Sequence, residues 1–128
     1  MNSSPTPPSF GIIVFAHGSR DPLWKRPIED VATRIRERQP NTPVVCAYLE
    51  LTEPDMAQAA TDMIEDGMTH IRITPLFLGV GRHAREDLPL LVNELKIRYP
   101  AVHFELQTAV GENAQLIDLM AQIALSEL

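Results

Sequence analysis

The stretch Phe10-Gly-Ile-Ile-Val-Phe-Ala-His-Gly-Ser-Arg-Asp-Pro22 passes from a continuous apolar run to a histidine, and then to turn and helix-start residues. Ile12 to Ala16 is β-branched and does not alternate with polar residues, the pattern of a strand buried on both faces of a parallel sheet covered by helices. His17 then falls at the carboxyl end of that strand. Gly18 lets the backbone turn, and Asp21 followed by Pro22 reads as a helix N-cap with proline at the first helical position. In open parallel sheets the carboxyl edge is where ligands bind. A His-Gly-Ser turn can also be a plain strand-to-helix connection, so its meaning depends on what the other strand ends carry.

Outward from this stretch the chain repeats strand and helix. Pro22 to Gln39 has Ile28, Val31, Ala32 and Ile35 at the spacing of one helical face, with Pro27 either kinking the helix or marking its start. Pro43 to Leu49 is a second strand that closes on Glu50. Thr52-Glu-Pro54 opens a helix with Ala57, Ala60, Met63 and Ile64 inward, and Gly67 ends it in the left-handed position. His70 opens a third strand running to Leu78, with Pro75 implying a bulge or a splayed edge. It finishes in a loop, Gly79-Val-Gly-Arg-His83. Asp87 reads as the cap of a third helix, with Pro89 in its first turn and Leu88, Leu91, Val92 and Leu95 facing the sheet. Val102 to Leu106 is a fourth strand, and Gly111-Glu-Asn leads into a last helix with Leu116, Leu119, Met120 and Ile123 at helical spacing. Four βα units predict an α/β, three-layer, flavodoxin-like domain around a four-stranded parallel sheet, with the helices on its two faces.

With 128 residues, the chain has the length of one domain, residues 10–128, behind a disordered tail at 1–9 that has neither the basic start nor the apolar core of a signal peptide. No apolar run approaches the roughly 18 residues of a membrane span. A cytoplasmic protein without membrane association is expected. The net charge of −6, with no aromatic and basic stripe, argues against nucleic acid as a partner. Cys46, the one cysteine, lies in an apolar run and reads as core. Arg20, Lys25, Arg26, Arg82 and Arg85 nevertheless gather in sequence near two of the four histidines, which suits an anionic ligand.

Sorting the histidines by strand end separates them. His17 and His83 follow strands, whereas His70 and His103 begin them and are read as structural or surface residues. With Glu50, the first pair makes a candidate ligand set for a borderline divalent metal such as cobalt, iron, nickel or zinc. Neither a phosphate-binding Gly-x-x-x-x-Gly-Lys-Ser/Thr loop nor a dinucleotide Gly-x-Gly-x-x-Gly follows the first strand. Ser19 lacks the elbow context of a hydrolase nucleophile.

These residues resemble the small class II chelatases of the CbiX type. The likeness rests on Ala16-His-Gly-Ser-Arg-Asp-Pro22, Tyr48-Leu-Glu-Leu51 with Pro54, Pro75-Leu-Phe-Leu78 and Gly81-Arg-His-Ala-Arg-Glu-Asp-Leu-Pro89. The resemblance implies insertion of a divalent metal, Co2+ or else Fe2+ or Ni2+, into sirohydrochlorin, with His17 and His83 as catalytic and metal-handling groups, Glu50 at an acidic ligand position, and no permanently bound cofactor. An apolar wall of Leu76, Phe77, Leu78 and Val80 with a rim of Arg20, Arg82 and Arg85 fits an apolar ring edged by carboxylates. Larger chelatases of this class face two similar domains across the cleft, so a homodimer is the expected assembly here, with the Gly79–Glu86 loop as a lid in the alternative. A non-enzymatic metal or tetrapyrrole carrier using the same ligands is the competing reading.

Overall fold

In a computed structural model, which describes residues 9–127, the apolar run forms strand β1 (Phe10–Ala16), and Ile13 to Ala16 are at most 1% exposed. The chain continues as α1 (Arg26–Arg38), β2 (Val44–Tyr48), α2 (Met56–Glu65), β3 (His70–Pro75), α3 (Arg82–Arg98), β4 (His103–Leu106), a 3-10 turn (Val110–Glu112) and α4 (Ala114–Leu125). The strands are all parallel in the order β2-β1-β3-β4. β1 and β3 are therefore central, which explains their apolar composition.

Alternation along the strands divides the core in two. One face sets Ile13, Phe15, Ile71, Ile73 and Phe104 against Met56, Ala59, Ala60 and Met63 of α2 and Ala84, Leu88, Val92 and Leu95 of α3. The other sets Val14 and Val44 against Ala32 of α1, flanked by Ile12, Ile28, Ile35, Cys46 and Leu76. The three layers are those expected from sequence, with one exception. No residue of α4 is buried, and none joins either core.

Several boundaries moved, each for a local reason. Asp21 does not cap a helix: its carboxylate accepts from Leu23 N–H (2.9 Å) to close a turn, and α1 begins at Arg26 with Pro27 in its first turn. The cap of α2 is Asp55, which accepts from Gln58 N–H (2.8 Å), and Ala57 is exposed. Gly67 ends α2 at φ +97° as expected. The third helix starts at Arg82, so Asp87 is inside it and is not its cap. Pro89 also lies in the helix interior, on an exposed face where the unpaired carbonyl of the preceding turn can reach water. Most of the expected tail lies outside the described residues, but Ser9 is fastened: its carbonyl accepts from Thr69 N–H (2.8 Å) and His70 N–H (3.1 Å).

Candidate active site

β1 and β2 are held together beyond their last paired residues. Ala16 C=O accepts from Leu49 N–H (2.9 Å) and His17 C=O from Glu50 N–H (3.1 Å). Thr52 Oγ1 donates to Ser19 C=O (2.9 Å) and accepts from Ser19 N–H (3.1 Å), closing the same seam from the other side. The approach is so close that a Cβ on Gly18, whose φ is +103°, would lie 1.7 Å from Glu50 O. His17 and Glu50 thus ride side by side on the carboxyl edge, both exposed.

The His17 ring meets Phe77 edge-on, with centroids 5.8 Å apart, and Phe77 meets Phe15 the same way at 6.0 Å. β3 stops at Pro75, so Phe77 and Leu78 belong to the loop that follows and not to the strand. Phe77 C=O accepts from Gly111 N–H (2.9 Å), and a Cβ on Gly111 would meet Leu78 O at 1.7 Å. The loop is therefore pinned in its middle to the turn after β4. Its distal part, from Arg82 on, is helical, which leaves little of the loop that the alternative to a dimer would use as a lid.

His83 sits in the first turn of α3 with its side chain 88% exposed, and its Nε2 lies 3.0 Å from Asp87 Oδ2 one turn on. The sequence reading missed this partner because it took Asp87 for a cap. The spacing in Arg82-His-Ala-Arg-Glu-Asp87 was the available signal, since Arg82 likewise pairs with Glu86 (3.2 Å). Between α3, the loop and β4 lies a cavity of about 390 Å³, walled by Phe77, Leu78, Val80, Arg85, Leu88 and Leu106 among others. Of the expected rim, only Arg85 lines it; Arg20 and Arg82 are exposed outside it. Glu50 lines a separate depression with residues 48–55 and Gln58. Among the described residues no three His, Cys, Asp or Glu side chains converge into a group that could hold a metal ion, so His17, Glu50 and His83 share an edge without forming a closed coordination set.

The other two histidines lie at the opposite edge, paired in register across β3 and β4 with ring centroids 4.5 Å apart. His70 Nε2 is 3.5 Å from Glu105 Oε1, and Arg72 Nε donates to the same oxygen (3.1 Å), which holds the Glu105 carboxyl below its ordinary range. Burial pushes the Cys46 thiol up, away from the reactive thiolate, but the side chain is half-buried at the margin of the α1-side core and is not the core residue expected, because β2 is the edge strand. Burial also pushes the Tyr48 phenol from 10.0 up to about 12. The unfolded chain therefore loses this proton first as the pH rises, so folding stability is expected to fall between about pH 10 and about 12, a loss that thermal melts of Tyr48→Phe should lack.

The family model for CbiX matches residues 11–126. The chain belongs to the CbiX family. This CbiX domain is 34% identical over 79 residues to the sirohydrochlorin cobaltochelatase of Methanococcoides burtonii, a match covering 62% of this chain and 60% of that one. The crystal structure of a CbiX protein from Marinobacter aquaeolei superposes with a TM-score of 0.79 at 30% identity, covering 91% of this chain and 94% of the other. The sirohydrochlorin chelatase SirB from Bacillus subtilis subspecies spizizenii, solved in complex with cobalt, superposes with a TM-score of 0.69 at 25% identity, over 90% of this chain and 50% of SirB. The CbiX domain spans about half to three-fifths of the length of the first curated relatives it matches.

Proposed function

We propose that this CbiX domain inserts a divalent metal, cobalt or iron, into sirohydrochlorin without ATP, in the cytoplasm, as a pair of copies. The carrying observation is the placement of both strand-end histidines on one edge, with His17 resting on Phe77, itself a wall of the apolar cavity. Metalation must strip water from the cation, present it to one face of the ring and remove two pyrrole protons for each M2+ that enters. Neutral imidazoles serve as transient ligands and as proton acceptors near neutral pH, with Glu50 assisting. An open set of donors suits a metal that is cargo, because the ring nitrogens must complete and then take over its coordination.

Arg85 on the cavity wall, with Arg20 and Arg82 on the open rim, would meet the carboxylates around the ring. One cavity of about 390 Å³ is small for a broad tetrapyrrole disc, which supports a second copy as the opposing wall. No described helix is long and apolar enough to cross a membrane. Mixing the protein anaerobically with metal-free sirohydrochlorin and Co2+ or Fe2+ tests the reading. Many turnovers per chain in the ring's absorption spectrum are expected; a shift that stops at one ring per site would make the protein a carrier, and no catalysed change would end both readings.

A further inference from the structure

Leu51 has a backbone that its side chain does not suit. Among the described residues it is the one non-glycine with a positive φ, +63°. Thr52 N–H donates to Glu50 C=O two residues back (2.7 Å), so Leu51 is the centre of a three-residue γ-turn of the strained, positive-φ kind. For a bulky residue such a conformation survives only where its surroundings fix it. They do so on both flanks: Glu50 N–H donates to His17 C=O (3.1 Å), and Thr52 Oγ1 bonds Ser19 at both its carbonyl (2.9 Å) and its N–H (3.1 Å). Glycine would take this turn without strain. Leucine takes it and gains little inside the chain, since it is 55% exposed and belongs to neither core. An apolar side chain held outward against backbone strain is accounted for by a contact outside the chain.

Its place on the sheet says which contact. In the strand order β2-β1-β3-β4 the segments that follow β2, β1 and β3 lie side by side, and they carry Leu51, His17 and Leu78. Leu78 is 64% exposed as well, so His17 stands between two exposed leucines. Neighbouring strands are about 4.8 Å apart, which sets the two flanking segments roughly 10 Å apart, comparable with the width of a tetrapyrrole macrocycle. The β2 flank offers nothing to the carboxylates at the rim of such a ring: residues 48–58 contain Glu50, Glu53 and Asp55 and no Lys or Arg. What this flank can hold is the apolar face of the ring, through Leu51.

We propose that Leu51 is a ring-contact residue, whose side chain bears on the apolar face of the macrocycle on the β2 side of His17, opposite Leu78, and seats the ring centre over the imidazole. The fixed turn serves this contact, because a side chain already held at its root loses little freedom when the ring arrives. The inference rests on the chelatase reading above, and adds a residue that sets how the ring is seated.

The test compares the wild-type chain with Leu51→Gly and Leu51→Met in steady-state metal insertion, fluorescence titration with metal-free sirohydrochlorin, thermal melts and sedimentation. Leu51→Gly removes the strain and the contact together. It is expected to melt no lower than the wild type, while KM and Kd for the ring rise about tenfold and kcat stays within about twofold. Leu51→Met, which rebuilds an apolar contact on the same turn, is expected to keep both constants within about twofold of the wild type. A merely structural role would not give a variant that folds as well and binds its ring worse. A Leu51→Gly variant with wild-type KM and Kd, with the loss in kcat instead, or with a clearly lower melting temperature overturns the ring contact and leaves the chelatase reading standing, as does a Leu51→Met variant equally impaired. A changed sedimentation of Leu51→Gly would assign the residue to a surface between copies and overturn the contact too. A wild-type chain that neither turns over nor binds the ring overturns both readings; one that binds without turnover ends only the chelatase reading, and the Kd comparison still decides Leu51.

Discussion

Replacing His17 by alanine is expected to lower the rate of metal insertion by about a hundredfold or more while shifting stability by no more than about 0.5 kcal/mol. The two effects separate because His17 is exposed: its ring leans on Phe77 from outside and fills no core space. His83→Ala should behave alike, since its side chain projects from the first turn of α3 and bonds only Asp87. His70→Ala and His103→Ala should keep the turnover of folded wild-type protein, because both lie at the amino edge with Glu105. Steady-state turnover measured beside a thermal melt checks all four. If His70→Ala matched His83→Ala in lost turnover at unchanged stability, the assignment of the functional edge would be wrong.

The largest expected effect on stability comes from a residue with no side chain. Gly18→Ala would place a methyl 1.7 Å from Glu50 O at φ +103°, where neither the strain nor the clash can be relieved without parting the seam between β1 and β2. A loss on the order of 3 kcal/mol or more is expected, together with most of the activity, as His17 and Glu50 move apart. Gly67→Ala provides the comparison. Its φ of +97° is equally left-handed but nothing lies within 4 Å, so only the backbone term of about 1–2 kcal/mol remains. Denaturant unfolding of the two variants should therefore rank them clearly, and equal losses would mean that the contact with Glu50 O is unimportant.

The sheet was legible because β1 and β3 are buried on both faces and their composition says so. The division of the histidines followed from chain order alone, since strand ends alternate between edges in any βα repeat. Helix starts were less readable: Asp21, Thr52 and Asp87 all look like caps, yet they close a turn, stitch two loops and pair with His83. Such residues bond whichever backbone or side-chain group is near, and nearness is tertiary. Helical spacing in α4 was correctly read, but spacing tells which side is apolar and not what covers it. The proximity of Gly111 to Leu78 joins segments more than thirty residues apart and left no local trace.

The central claim is that the carboxyl edge, through His17 and His83, is where the metal first meets the protein. Imidazole resonances of the four histidines, followed by NMR while paramagnetic Co2+ is added below one equivalent, test this directly. The signals of His17 and His83 should broaden first, with His70 and His103 unchanged. Broadening of His70 and His103 first would place the metal at the opposite edge of the sheet and contradict the account.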